Sequence, residues 1–341
     1  MPVSKKGPMI YMDRIFLILL ITLAAILLVL FIVSLLCFKI CIVRSKPIDL
    51  SREKVTKGTR FEEATPIIKE ALKWFEKKEY TKVSITSKDG LRLAGKLIEA
   101  ENAAGTIILI HGYRSIAVND FSAALKSYFE KGFTILLIDQ RSHGESEGKY
   151  ITFGIKESED VSLWAQMVHD KYPGLPIFFS GISMGAATAL MATRFDLPEE
   201  VKGIVADCGF TSPEDIIRYT IKNEVHLPPK LFYPMINFWC KKPAKCDMSS
   251  VSTIDALKGN RIPILLIHGK ADTRVPCSMT ERNYEACNAY KEMVLVDNAD
   301  HGMSFLKDRK RLIDILDRFM ENCIKNGMEP VRESAEYGRK G

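Results

Sequence analysis

The sequence predicts an α/β fold: a mostly parallel central sheet with helices on both faces, an N-terminal antiparallel hairpin, a helical cap insertion, and one preceding transmembrane helix. Three observations lead there. Short, continuous apolar runs suited to strands covered on both faces alternate with helical stretches from about residue 106 onward. Ahead of them, two segments alternate apolar and polar residues across a Lys88-Asp89-Gly90 turn. Near the N-terminus, 24 residues from Ile15 to Phe38 carry no charge.

Taken in order, residues 1–14 form a short flank and 15–38 the transmembrane helix. At ~1.5 Å per residue that run reaches ~36 Å, enough for a hydrocarbon core of ~30 Å. It is longer than the apolar region of a signal peptide, and no small-residue cleavage site follows it. Residues 39–60 read as a basic linker. Lys5, Lys6 and Arg14 precede the apolar run. Lys39, Arg44, Lys46, Arg52, Lys54 and Lys57 follow it, so the positive-inside rule puts the large domain on the cytoplasmic face.

Residues 61–326 read as the globular domain. An amphipathic helix over 66–78 leads into strands at 82–87 and 91–98. Buried strands follow at 106–110, 133–138, 177–180, 201–205, 264–267 and 293–296. Helices are predicted near 118–131, 156–171, 184–195, 278–290 and 304–325. One interval breaks the alternation: more than fifty residues separate Asp207 from Ile264. A connecting helix needs far fewer, so a cap is expected at about 211–258. The polar residues 327–341 read as a disordered tail.

Composition narrows the function. The 341 residues are 47% hydrophobic, with a net charge of +6 from 48 basic and 42 acidic residues. The excess is small and partly flanks the apolar run, which argues against nucleic-acid binding. The 8 cysteines show no CxxC pair and no regular spacing. They read as unpaired small hydrophobes in place of a disulfide scaffold or a zinc site.

The chemistry begins at Gly181-Ile182-Ser183-Met184-Gly185, between a buried strand and a small-residue helix. A serine on a tight strand-to-helix turn needs neighbours without bulk, and glycines two positions either side supply that. Ser183 is the candidate nucleophile. Its hydroxyl needs a base. Three histidines follow it in the chain: His226, His268 and His301. His226 falls in the cap interval and His268 ends a strand, where it would shape a turn. His301 lies in the loop between the last strand and the last helix, at the sheet edge where ligands bind in open α/β sheets. It is the candidate base. Asp272 follows the preceding strand and is the candidate orienting acid, with Asp297 and Asp300 as competitors. Two backbone N–H groups should hold an oxyanion, one from Met184 and one from Tyr113 after the first parallel strand. The loop Asp139-Gln140-Arg141-Ser142-His143-Gly144-Glu145-Ser146 reads as structural.

HGY after one strand, DQRSHGES after the next, GISMG, HGKADTRVP and the final DHG together resemble the α/β-hydrolase superfamily over about residues 80–325. The resemblance extends to single-pass bacterial members akin to monoacylglycerol lipases and serine aminopeptidase-like hydrolases. Gln140-Arg141-Ser142 stands where relatives often carry an aromatic residue and a glycine. The resemblance implies a serine hydrolase working through an acyl-enzyme, with no metal or organic cofactor.

The expected function is a membrane-anchored carboxylesterase or lipase acting on a small acyl ester or lipid, with the bilayer as partner. Cap residues Tyr219, Leu227, Phe232, Tyr233, Phe238 and Trp239 either line an acyl pocket or pack the cap onto the core. A serine peptidase is the alternative within catalysis, because the same triad cleaves amides. A non-catalytic binding protein on a hydrolase scaffold is the alternative outside it. Nothing in the sequence specifies oligomeric state.

Overall fold

The computed structural model describes residues 7–46, 52–59 and 61–326. The tail read over 327–341, residues 1–6 of the flank, and residues 47–51 and 60 of the linker lie outside the described residues.

The chain begins with the long apolar helix α1 (Gly7–Ile42). It runs past the predicted end at Phe38 because the globular domain takes up its last turn. Tyr113 Oη donates to the carbonyl of Cys41 at 2.8 Å, and the Arg114 guanidinium reaches the carbonyls of Ile40 and Val43. These donors satisfy carbonyls that a helix end otherwise leaves bare. The short α2 (Glu53–Thr56) and amphipathic α3 (Thr65–Glu76) lead to the hairpin β1 (Thr81–Thr86) and β2 (Arg92–Ile98).

The alternating part follows: β3 (Gly105–Ile110), α4 (Ala117–Asp120), α5 (Leu125–Glu130), β4 (Phe133–Ile138), α6 (Glu157–Lys171), β5 (Ile177–Ile182), α7 (Met184–Ala192) and β6 (Val201–Asp207). The single helix expected near 118–131 is therefore two. The interval expected to hold the cap carries α8 (Pro213–Asn223), α9 (Pro229–Lys241) and α10 (Thr253–Lys258). Then come β7 (Ile264–Gly269), α11 (Ser278–Ala286), β8 (Lys291–Val296), α12 (Ser304–Lys307) and α13 (Arg309–Asn326).

The eight strands form one sheet in the order β1-β2-β4-β3-β5-β6-β7-β8. β2 pairs antiparallel with both β1 and β4, and β3 to β8 are mutually parallel. Strand side chains alternate between faces, and both faces are filled. Ile107, Leu109, Ile135 and Leu137 join one core with Phe319 of α13. Ile108, Ile110, Leu136 and Ile138 join the other with Trp164 of α6. Leu257 of α10 belongs to that second core. A third cluster lies above the carboxyl ends of the strands. It joins Phe38 and Ile42 of α1 to Phe232 and Ile236 of α9 and to Met184. Parallel strands with helices on both faces leave their carboxyl ends as the open edge, and the third cluster roofs it.

Candidate active site

The turn between β5 and α7 is forced by close packing. Ser183 has φ 57° and ψ −116°, a conformation that L residues rarely adopt. A Cβ on Gly181 would sit 2.3 Å from the carbonyl oxygen of Gly185, and one on Gly185 would sit 1.9 Å from that of Ile110. Only glycine fits at either position. The Ser183 N–H donates to the carbonyl of Asp207 at 2.8 Å, which ties the strained turn to the end of β6.

The strained turn aims the hydroxyl at a histidine. Ser183 Oγ lies 2.8 Å from His301 Nε2, and His301 Nδ1 lies 2.7 Å from Asp272 Oδ2. Asp272 is ionised, so Nδ1 carries the proton that it shares with the carboxylate, which leaves Nε2 to accept from the serine hydroxyl. Asp272 Oδ1 accepts the N–H groups of Arg274 and Val275, both at 2.8 Å. Burial works to raise the pKa of this carboxylate. The hydrogen bonds from His268 and His301 overcome that and hold Asp272 well below the usual carboxylate range.

The competing acids are engaged elsewhere. Asp300 Oδ1 accepts from the N–H groups of His301 and Thr273, and Asp297 pairs with Lys270 at 2.8 Å. His226, in the middle of the α8–α9 connection, is exposed.

Tyr113 and Met184 stand beside Ser183 on the wall of one cavity of about 480 Å³, which also contains His301. Met184 opens α7, so its N–H has no carbonyl within the helix. The Tyr113 N–H has no partner among the described residues. The preceding Gly112 N–H donates to Asp120 Oδ2 at 2.6 Å, and Ser115 Oγ donates to Asp120 Oδ1 at 2.5 Å. The loop that carries Tyr113 is thus held in shape from α4. Its other support is the DQRSHGES loop. The Arg114 N–H donates to His143 Nε2 at 3.0 Å, and the Gln140 N–H donates to His111 Nε2 at 3.1 Å. Burial, aided by His143, pushes His111 down to about 3, so it stays neutral and serves as a hydrogen-bonding spacer.

Sequence reasoning missed three supporting residues. His268, fully buried, brings Nε2 to 3.1 Å from Asp272 Oδ2, and its Nδ1 accepts from Thr280 Oγ1 at 2.6 Å. The i,i+4 spacing of His268 and Asp272 across a tight turn was the available signal. Asp207 ends β6, and its Oδ1 accepts from Ser304 Oγ at 3.0 Å, just past the His301 loop. No local pattern marks Asp207 or Asp120, because their partners are distant in the chain or belong to irregular backbone.

Comparison with known proteins agrees with this architecture. The family described as "Serine aminopeptidase, S33" matches residues 101–253. The chain is 29% identical over 250 residues to the uncharacterized protein YqkD of Bacillus subtilis, covering 73% of this chain and 81% of that one. The esterase Pf2001 of Pyrococcus furiosus superposes with a TM-score of 0.59 at 26% identity, covering 72% of this chain and 93% of the esterase. An acylaminoacyl peptidase of Pyrococcus horikoshii shares the fold, with a TM-score of 0.54 at 17% identity, over 76% of this chain and 44% of the peptidase. The sheet order, the strained glycine-flanked serine turn and these likenesses together make the chain a member of the α/β-hydrolase superfamily.

Proposed function

We propose that the protein is a membrane-anchored serine hydrolase that cleaves acyl esters. The observation that carries the proposal is the continuous relay from Ser183 Oγ through His301 to Asp272, at 2.8 and 2.7 Å. His301 Nε2 removes the hydroxyl proton as Ser183 Oγ attacks the ester carbonyl. Asp272 holds the imidazole tautomer and stabilises the imidazolium. The Met184 and Tyr113 N–H groups hold the oxyanion. His301 then gives the proton to the departing alkoxide, leaving an acyl-enzyme. Water, deprotonated by His301, attacks that acyl carbon, and collapse returns the proton to Ser183 and releases the acid.

Ester preference is supported by the likeness to the Pyrococcus furiosus esterase and by the apolar character of the cavity wall, which includes Ile217, Leu227, Phe232 and Ile236. Helix α1 supports the anchoring: Asp13–Ile42 is long and apolar enough to cross a membrane, and residues 13–29 are exposed. The basic residues after it favour a cytoplasmic catalytic domain. The match to an aminopeptidase family favours a second reading, amide cleavage by the same residues.

The test is labelling of the full-length protein with a fluorophosphonate probe, followed by a panel of acyl esters of graded length against aminoacyl anilides. Labelling of wild type, none of Ser183→Ala, and turnover of esters over anilides are expected. An unlabelled but folded wild type would refute the mechanism. Turnover confined to anilides would reverse the substrate order.

A further inference from the structure

Helix α1 does more than tether the domain. Its lower part, from Ile15 to Val29, is exposed and apolar over fifteen residues. A hydrocarbon core of ~30 Å needs about 20 residues at ~1.5 Å each. Asp13 and Arg14 mark the far boundary, because charged side chains are costly in the core. Counting about 20 residues from Ile15 brings the near boundary to Ser34. Of the five residues that complete the span, Leu30 and Val33 pack into the cluster that holds the cap, Phe31 and Ser34 meet its Trp239, and Ile32 is exposed.

The cap residue at that height is a tryptophan. Trp239 Nε1 donates to Ser34 Oγ at 3.1 Å, and its ring meets Phe31 edge-on with centroids 5.2 Å apart. An indole with an apolar body and a polar tip suits the boundary between hydrocarbon and headgroups. Beside it the cap turns apolar side chains outward. Among the described residues, six large hydrophobic side chains outside α1 are exposed, and three of them, Val225, Leu231 and Phe238, fall in this one segment. Phe238 is 51% exposed and packs its ring against Trp239. Lys230 and Lys242 are exposed on the same helix end regions, where they can meet lipid phosphates.

Immediately above the boundary, α1 becomes a wall of the catalytic cavity. Cys37, Cys41 and Ile42 line the same space as Ser183 and His301. They stand about 3 to 8 residues past Ser34, or ~5–12 Å, a stretch that runs from within the headgroup layer, ~5–8 Å deep, to just above it.

We infer that α9 and the last turns of α1 form one entrance seated in the near leaflet, and that the cavity takes its acyl ester from that leaflet instead of from water. The substrate class is an acyl lipid whose ester lies at the boundary between chains and headgroups. This rests on the reading of Ser183 as nucleophile. Hydrolysis proceeds as above, with water as co-substrate and a fatty acid and an alcohol as products.

The test uses the full-length protein in phosphatidylcholine–phosphatidylglycerol vesicles. The variant Leu231→Glu/Phe238→Glu alters side chains outside the cavity wall. It should lose about tenfold in turnover of a long-chain ester embedded in the vesicles. Fluorophosphonate labelling and turnover of a short, water-soluble ester should stay within about twofold of wild type. Equal loss on both esters in labelled protein, or loss on neither, would overturn the inference. A second measurement does not depend on the variant's folding or on catalysis. Brominated lipids should quench wild type more than Trp239→Phe, most strongly with bromines near the headgroups. No difference between the two would also overturn it. If the double glutamate variant turns a dimer into a monomer while Trp239 stays unquenched, the ridge belongs to a second copy of the chain. An unlabelled wild type with a quenched Trp239 would sink the nucleophile and leave the leaflet seat standing.

Discussion

Two buried carboxylate networks sit on opposite sides of the sheet's open edge, and they differ in their partner. On the hairpin side, Arg141 reaches Asp160 through Nε and a terminal nitrogen, both at 2.7 Å, and Asp89 at 2.9 Å. It thereby ties the β1–β2 turn and α6 to the loop after β4. On the other side, after β7, Asp272 meets the two imidazoles of His301 and His268. A guanidinium stays charged at any working pH, so the first network can only hold. An imidazole has one ring nitrogen that can donate and one that can accept, so the second can hold and also transfer a proton. The same acid type is structural in one place and suited to chemistry in the other because of what faces it.

Substitutions test that contrast. The largest effect is expected at Ser183→Ala, where kcat for esters should fall about 10⁶-fold with the far-UV circular dichroism unchanged. Retained turnover would mean that another nucleophile operates. Asp272→Asn should lower kcat about 10⁴-fold, because the amide favours the wrong imidazole tautomer. Steady-state kinetics would show it, and a loss confined to KM would contradict the orienting role.

Arg141→Met should act on stability instead. It leaves Asp160 buried without its partner and should cost about 3–5 kcal/mol in denaturant unfolding. Turnover per fluorophosphonate-labelled molecule should stay near wild type. Arg141→Met/Asp160→Leu should recover most of the loss, since a buried pair is often replaceable by packed apolar groups. A large drop in kcat per labelled molecule would erase the distinction between the two networks.

A third buried acid gives the smallest effect and a pH signature. Burial pushes Asp207 up to about 6, and its Oδ2 has no hydrogen-bond partner among the described residues. The unfolded value is about 3.9. Below that pH the group is neutral in both states. Between about 3.9 and 6 the unfolded chain ionises first, so stability falls as pH rises, and the penalty levels off above 6. Asp207→Asn keeps an acceptor for Ser304. It should match wild type at pH near 4 and exceed it by at most about 3 kcal/mol at pH 7.5. Thermal unfolding at both pH values measures this. A difference that does not change with pH would show that Asp207 is ionised in the folded protein.

Much of the fold was legible because strands covered on both faces leave continuous apolar runs. Leu265 and Leu266 fall on opposite faces of β7, yet both are buried. Ser183, Asp272 and His301 stood out because each follows a buried strand in a motif with little freedom. The helix near 118–131 was misjudged as one piece, because its apolar residues continue at helical spacing through the turn at 121–124 that separates α4 from α5. The support given by Asp120 and Asp207 was not legible, since nothing local distinguishes a buried acid with distant partners from a solvated one.

The sequence by itself determined the order of elements, the strained serine turn and the apolar length of α1. These follow from side-chain periodicity, glycine spacing and the absence of charge, all of which act over a few neighbouring residues. Only the tertiary structure decided which surface α1 touches. Its last turns, Lys39 aside, continue the apolar run, and periodicity cannot tell lipid from protein as a neighbour. The contact with Trp239, Tyr113 and Arg114 arises because crossing connections bring a cap some two hundred residues away, and a loop about seventy away, against one helix end.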